Sequence, residues 1–188
     1  MRTLSDFAST GMNILEKQES FWLGRKEYSV HRLLQYSLFL GFFPFAGYLV
    51  NYTIRGTVWN IWPFVHTTLD VGSGLVFAGM QWIFFSVFSL LASLFLDMTG
   101  MRWKVQFEDS LGIITYAITP LCLSLLFVGV PYLDRIFTTF GFATFLFLLY
   151  YGFRLALSFT ILRSMGTTLS VLVLFALIRQ MFVFAIGF

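Results

Sequence analysis

The chain has 188 residues, of which 58% are hydrophobic and only 11% are charged, and its mean hydropathy is +0.81. A water-soluble domain carries about 25% charged residues, and 25 phenylalanines against 12 lysines and arginines leave too much apolar surface for water. The composition therefore predicts an integral membrane protein whose solvent is the lipid bilayer. The net charge of +3 is dispersed rather than gathered in a basic run, which argues against a nucleic-acid partner.

Residues 1–32 precede the first long apolar stretch and are rich in charged side chains. The apolar residues of their first half fall on one helical face, namely Leu4, Phe7, Gly11, Ile14 and Leu15. This pattern predicts an amphipathic helix that lies on the membrane surface, with Trp22 at headgroup level. Residues 1–32 are interpreted as a cytoplasmic N-terminal segment, and residues 33–188 as one transmembrane domain.

Charged residues divide the transmembrane domain into five apolar intervals. Each interval equals or approaches the ~20 residues that an α-helix needs to cross the hydrocarbon core. Unbroken apolar runs favour helices over barrel strands, in which polar and apolar residues alternate. The sequence predicts an all-α polytopic bundle with transmembrane helices at about 33–54, 71–96, 110–130, 136–153 and 168–188.

Two details of the last spans follow from the same charges. A short turn over 131–135 predicts a tight hairpin between spans three and four. The fourth span reaches Leu162 if Arg154 snorkels to the headgroups, because an arginine near a helix end tolerates that position.

Lysines and arginines fall unequally on the two sides of this five-span arrangement. The side opposite the N-terminus has only Arg55 and Arg135. The side of the N-terminus has nine: Arg2, Lys17, Arg25, Lys26, Arg32, Arg102, Lys104, Arg154 and Arg163. Because cationic loops are retained in the cytoplasm, this bias predicts a cytoplasmic N-terminus and an exoplasmic C-terminus.

Arg179 lies well inside the fifth span, where a cation costs at least ~2.5 kcal/mol on insertion scales. Four arrangements would compensate that cost. The side chain could snorkel outward, pair with Gln81 at similar depth, or donate to backbone carbonyls freed where Pro120 interrupts the third helix. It could also contact a partner subunit or a lipid headgroup.

A second candidate lies between spans two and three. Glu108 and Asp109 come just before Ser110, where carboxylates complement the positive end of a helix. Together with Arg102 and Lys104 they could instead form a cytoplasmic docking loop for a protein partner. Both interpretations remain open at this stage.

The sequence lacks the residue patterns that are typical of catalytic, metal-binding and cofactor-binding sites. His31 and His66 lie near opposite faces, and neither belongs to a cluster with metal-ligand spacing, so neither a metal site nor a cofactor is predicted. A pair between His66 and Asp70 is interpreted as structural rather than as a ligand pair. Small residues of the second span indicate close helix packing instead of a nucleophile: Gly72, Gly74, Gly79, Ser86, Ser89, Ala92 and Ser93.

The pattern over about 14–152 resembles the Yip family, named for Ypt/Rab-interacting proteins. Tyr116 and Pro120 are similar to the family's Tyr-x-x-x-Pro in the third span, and Tyr151-Gly152 adds a further match. The chain lacks the long N-terminal region and the Asp-Leu-x-Gly-Pro element of the eukaryotic trafficking members, so a prokaryotic-type member fits better. The resemblance implies five spans, a prokaryotic cytoplasmic membrane and a role in membrane organisation.

These observations together predict a non-enzymatic membrane protein that acts by binding partners. It would be an accessory or scaffold subunit of a membrane complex, with membrane-protein partner subunits, or a membrane-organising factor. The alternative is a small transporter or channel, which requires polar groups that converge inside the bundle.

Overall fold

A computed structural model describes residues 22, 29–55, 57–59, 66–68, 71–98, 107–128, 130 and 133–185. It contains five helical segments that are long and apolar enough to cross a membrane, so the predicted all-α five-span fold is confirmed. The predicted amphipathic helix over the first half of residues 1–32 lies outside the described residues. The helices are α1 (Val30–Arg55), α2 (Val71–Met98), α3 (Phe107–Ala117), α4 (Thr119–Ser124), α5 (Leu133–Ala156) and α6 (Ile161–Ala185).

The contacts between helices show that successive spans run in opposite directions. Ser37 Oγ donates to the Ser86 carbonyl over 2.6 Å, whereas the Tyr48 ring, further along α1, meets Phe77, earlier along α2. Phe175 packs against Phe88, whereas Arg179, one turn later in α6, bonds to Gln81, earlier in α2, so α6 also runs antiparallel to α2 and the bundle has two ends. We call the end that holds Val30, Met98, Phe107, Ala156 and Ile161 the N-side, which the charge bias predicts to be cytoplasmic.

The third span is the central one and it is bent. It consists of α3, α4 and a 3-10 turn over Leu125–Phe127, and α3 is separated from α4 by a turn at Ile118. Pro120, at the start of α4, has no backbone N–H to continue the ladder, which accounts for the interruption. In the third span 78% of the apolar window is buried, against 17% in the fifth, so the fifth span is peripheral.

The boundary between spans four and five differs from the prediction. α5 ends at Ala156, so the possible continuation to Leu162 is wrong, and α6 begins at Ile161 rather than near Thr168. Ser158 adopts a left-handed φ of 52°, a conformation that ends a right-handed helix. The Arg163 guanidinium lies 5.3 Å from the Phe159 ring centroid, so a cation in the first turn of α6 has a favourable aromatic neighbour.

The two connections on the far side differ in length. Only residues 128–132 separate the 3-10 turn from α5, which confirms the predicted tight hairpin between spans three and four. Between α1 and α2, strand β1 (Thr57–Trp59) pairs antiparallel with strand β2 (His66–Thr68), a hairpin that the sequence analysis did not predict.

Close helix packing occurs at glycines of the first span, whereas the three glycines predicted to pack lie in the second span. A Cβ on Gly47 would lie 2.9 Å from the Leu125 carbonyl carbon, and one on Gly41 would lie 2.7 Å from the Trp82 carbonyl oxygen. Gly79, in contrast, has no atom of the described residues within 4 Å of its Cβ position, so it does not mediate close packing among the described helices. The surroundings of Gly72 and Gly74 lie outside the described part.

The fourth span approaches the third in the same manner. A Cβ on Gly141 would lie 3.0 Å from the Pro120 carbonyl oxygen, and one on Gly152 would lie 2.7 Å from Ile113 Cγ2. The serines of α2 do face inward as predicted, since Ser86, Ser89 and Ser93 are all buried. Small residues therefore bring α1 and α5 close to the central span, which is how helices associate without a hydrophobic driving force between them.

Candidate functional site

Arg179 is buried inside the bundle, with only 2% of its surface exposed. Its Nη1 donates a hydrogen bond to Gln81 Oε1 of α2. The guanidinium carbon also lies 5.3 Å from the centroid of the Phe84 ring, one turn further along α2, in a cation–π arrangement. A charged side chain of the peripheral helix therefore points into the bundle, where it contacts two residues of α2.

Tyr48 of α1 completes this group of side chains, which we call the Arg179 cluster (Tyr48, Gln81, Phe84 and Arg179). The Tyr48 hydroxyl lies near the guanidinium of Arg179. Tyr48 and the neighbouring Asn51 are both fully buried. The Arg179 cluster thus joins the first, second and fifth spans through polar and aromatic contacts.

An aromatic cluster lies one turn before Arg179. The Phe175 ring packs against rings of both α2 and α5, with centroid distances from 5.0 Å to 6.4 Å: Phe84, Phe85, Phe88, Phe142 and Phe145. Several of these pairs are tilted or edge-to-face, which are the geometries that aromatic quadrupoles favour. Phe175 and Arg179 together attach the fifth span to the rest of the bundle.

The structure distinguishes among the arrangements predicted for Arg179. The internal pair with Gln81 is formed. Snorkelling is wrong, because the side chain points into the bundle and is 2% exposed. The expected contact of Arg179 with a partner subunit or a lipid headgroup stays a prediction.

The predicted docking loop is described only at its end. Glu108 is exposed and Asp109 half-buried in the first turn of α3, where both carboxylates complement the positive end of the helix. Ser110 Oγ donates to the Phe107 carbonyl over 3.0 Å, so that hydroxyl bonds locally. Arg102 and Lys104 lie outside the described residues.

Most of the outer face of α6 has no contact with the other described residues. Its exposed apolar side chains recur every three or four residues and have 51% to 82% of their surface accessible: Leu162, Met165, Leu169, Val173, Leu177 and Met181. Gly166 lies on this face, and nothing in the described chain comes within 4 Å of its Cβ position. We call these seven residues the free face of α6.

Trp22 is buried against the bundle, whereas its position in the sequence predicted a location at headgroup level. Its indole is 2% exposed and belongs to the hydrophobic core, whereas a belt residue at headgroup level would remain accessible. It lies against Gly152 of α5, whose missing side chain leaves space for the ring. A glycine near the end of a predicted span could have indicated such a contact, but its occupant could not be inferred from spacing.

Within the part of the chain that the structure describes, no group of three histidine, cysteine or carboxylate side chains could hold a metal ion. His31 Nε2 instead lies 2.9 Å from Gln35 Nε2, one turn further along α1, and Cys122 is buried in the core. The sequence matches no protein-family model and no curated protein, and the fold matches no solved structure. Any functional inference therefore depends on the bundle itself.

Proposed function

We propose that this chain is a non-enzymatic integral membrane protein that acts by binding other membrane proteins, as an accessory or scaffold subunit of a membrane complex or as a membrane-organising factor. The observation that carries the proposal is Gly166 on the free face of α6. Its N-terminus would face the cytoplasm, in a prokaryotic cytoplasmic membrane, in line with nine cations on one side against two on the other.

The other helical glycines explain why Gly166 supports this proposal. Gly41, Gly47, Gly141 and Gly152 each stand where an atom of another segment occupies the space of a side chain. A glycine inside a helix costs roughly 0.5–1 kcal/mol relative to alanine, and these contacts offset that cost. Gly79 and Gly166 have no such contact within the described chain. Gly79 has the large residues Leu75 and Ile83 one turn away on either side, whereas Gly166 has the small Ser170 one turn later, so a helix of another protein would supply the contact at Gly166.

The surroundings of Gly166 suit a neighbouring helix. Ser170, one turn later, is half-buried, and its hydroxyl donates to the Gly166 carbonyl over 3.0 Å, so it presents little unsatisfied polarity. Gly166-x-x-x-Ser170 is a small-xxx-small pattern, which lets two backbones approach closely. Leu169 and Val173 continue the same face toward the far side of the membrane and would pack beside a partner helix.

The resemblance to the Yip family supports the same class of function. Tyr116 packs against Tyr36 with a ring separation of 5.5 Å, and Pro120 opens α4, so both motif residues lie in the central span. Tyr36 in turn shares a 3.2 Å hydrogen bond with Thr119 Oγ1. These residues pack inside the bundle, and the surface proposed for a partner is the free face of α6, which they do not occupy.

Site-specific photo-crosslinking in native membranes tests the proposal. A crosslinking residue at Leu169 is expected to give one discrete adduct with a partner of defined mass, and Gly166→Leu is expected to reduce it at least about tenfold by separating the helices. Position Val76 is the matched control, because it is similarly exposed (55%) but lies on a different helix, α2.

Gly79→Leu provides a second control, since Gly79 also has open space around its Cβ position. It is expected to leave the Leu169 adduct unchanged. If Leu169 yields only lipid adducts, or if Gly166→Leu leaves the protein adduct intact, the free face of α6 is not a docking surface and the proposal fails.

A further inference from the structure

Two arginines flank the short connection between the fourth and fifth spans. Arg154 lies in the last turn of α5, two residues before its end at Ala156, and Arg163 lies in the first turn of α6, two residues after its start at Ile161. Both residues therefore lie at the N-side boundary of the membrane, at the level of the lipid headgroups. No aspartate or glutamate follows Asp134 in the sequence, so this end of the two helices carries positive charge only.

Aromatic side chains hold both guanidinium groups in place. The Arg163 guanidinium carbon lies 5.3 Å from the centroid of the Phe159 ring, and that ring is stacked on the buried Phe153 ring with 6.4 Å between centroids. Arg154 Nη1 donates to the Tyr150 hydroxyl, one turn earlier in α5, over 3.3 Å. A side chain that is already ordered loses less conformational entropy when it binds a ligand, so both cations are prepared to bind an anion.

The geometry of α5 arranges these groups side by side around its N-side end. Successive residues of an α-helix are separated by about 100° around the axis, so Tyr150 lies in the arc between Phe153 and Arg154. The Phe153 ring carries Phe159 and, through it, Arg163, whereas Arg154 is exposed. Arg163, Tyr150 and Arg154 therefore follow one another around the helix end. A hydroxyl that accepts one hydrogen bond can still donate its own proton, so Tyr150 adds a donor between the two cations.

An accessible apolar stripe of α5 continues from Arg154 into the membrane. Its members recur every three or four residues and lie at the surface of the bundle: Phe140 (71% exposed), Ala143, Phe147 (46% exposed) and the partly buried Tyr151. The rings of Phe147 and Tyr151 pack together with 4.4 Å between centroids. A cationic end above an apolar stripe matches a molecule with an anionic head and hydrocarbon tails.

We propose that Arg154, Tyr150 and Arg163 form a binding site for the headgroup of an anionic phospholipid, whose acyl chains lie along the stripe that includes Phe147. A negative headgroup complements the two cations, whereas a zwitterionic headgroup brings its own ammonium group beside them. Each arginine near an anionic lipid favours binding by about fivefold. The site uses no residue of the free face of α6, and the inference does not depend on the proposed function.

Photo-crosslinking in lipid nanodiscs tests this assignment. The nanodiscs contain equal amounts of phosphatidylglycerol and phosphatidylcholine with identical acyl chains, so a crosslinking residue at acyl-chain depth reports which headgroup is selected. Phe147 lies seven residues before Arg154, and Phe140 lies seven residues after the start of α5 at Leu133. Each position is therefore roughly 10 Å from its nearer end of the helix, and the two lie in opposite leaflets. Phe147 is the test position and Phe140 is the matched control.

Mass spectrometry of the adducts is expected to show an excess of phosphatidylglycerol of roughly tenfold at Phe147 and equal amounts of the two lipids at Phe140. Arg154→Gln and Arg163→Gln should each reduce the excess to about two to threefold, and the double variant should abolish it. Arg135→Gln, which removes an exposed cation from the far side, should leave it unchanged. An adduct at Phe140 shows that a variant is inserted.

Equal amounts of the two lipids at Phe147 in the wild type would overturn the proposal. So would an excess of phosphatidylglycerol that survives in the inserted double variant. Loss of the excess when inorganic phosphate is added would assign the two cations to a soluble anion and would equally overturn the assignment to a lipid.

Discussion

The pair between Arg179 and Gln81 permits a quantitative test of how the fifth span is held. We consider Gln81→Leu, which removes the acceptor, and the double variant Gln81→Leu/Arg179→Met, which replaces both partners with apolar side chains of similar length. In wild type the guanidinium donates to Gln81 Oε1 and lies 5.3 Å from the Phe84 ring centroid. The single variant keeps the cation buried but removes one of its contacts.

The expected magnitudes follow from that geometry. Hydrogen bonds to charged groups contribute about 1.5–3 kcal/mol net, and measured interhelical bonds in a membrane protein reach about 1.7 kcal/mol. Gln81→Leu should therefore lower the free energy of unfolding by roughly 2 kcal/mol. The double variant no longer buries a cation or an amide, so it should lie within about 1 kcal/mol of wild type.

Reversible unfolding in mixed detergent micelles, with SDS as the denaturant, measures these differences. Gln35→Leu is the matched control, because Gln35 is exposed and bonds to His31 within α1, and this variant should change stability by less than about 0.5 kcal/mol. The reasoning is refuted if the double variant is less stable than Gln81→Leu, since the two changes would then be additive rather than coupled.

Three further predictions concern the packing and the topology. Phe175→Ala should lower the free energy of unfolding, measured in the same micelles, by about 3 kcal/mol, because it leaves a cavity among five rings. An unchanged free energy of unfolding would contradict the role of Phe175 in attaching the fifth span. Gly47→Ala should lower the free energy of unfolding by about 2 kcal/mol or more, because the added Cβ would collide with the Leu125 backbone. Gly79→Ala should leave the free energy of unfolding unchanged or raise it, and equal effects of the two substitutions would contradict the packing. With Cys122 replaced by alanine, a cysteine at Thr57 should react with an impermeant thiol reagent outside intact cells and one at Lys104 should not, and the reverse result would invert the orientation.

The number and approximate limits of the spans could be predicted because charge is so scarce in this chain. Each long apolar interval corresponds to one helical span in the structure. The start of α6 was misplaced because Arg163 resembled a boundary residue, whereas in the structure it rests on the Phe159 ring within the first helical turn. The left-handed Ser158 that separates the helices has no strong signature in sequence.

The candidate site was predictable only in part. Gln81 could be matched to Arg179 by depth, since both lie within apolar spans at comparable distances from the same side. Tyr48 could not, because burial of a tyrosine hydroxyl depends on how α1 is rotated against α2 and α6. The rotation is set by close contacts at glycines such as Gly41 and Gly47, and their partners are distant in sequence.

Trp22 illustrates a different limit. An aromatic residue near a predicted membrane surface is usually a belt residue, and spacing offers no reason to expect otherwise. Its burial depends on a space at Gly152, 130 residues further along the chain, which becomes visible only when α3 and α5 are packed together. Long-range packing of this kind is the information that a pattern of charges and apolar runs does not contain.

The central claim is that this protein works in association with another membrane protein. Native mass spectrometry of the protein, purified in a mild detergent from its own membranes, tests that claim most directly. The account predicts a stoichiometric complex with a partner subunit, heavier than the 21.6 kDa chain and lost in Gly166→Leu. A lone 21.6 kDa chain that moves a solute across liposomes would contradict it and would favour a small transporter.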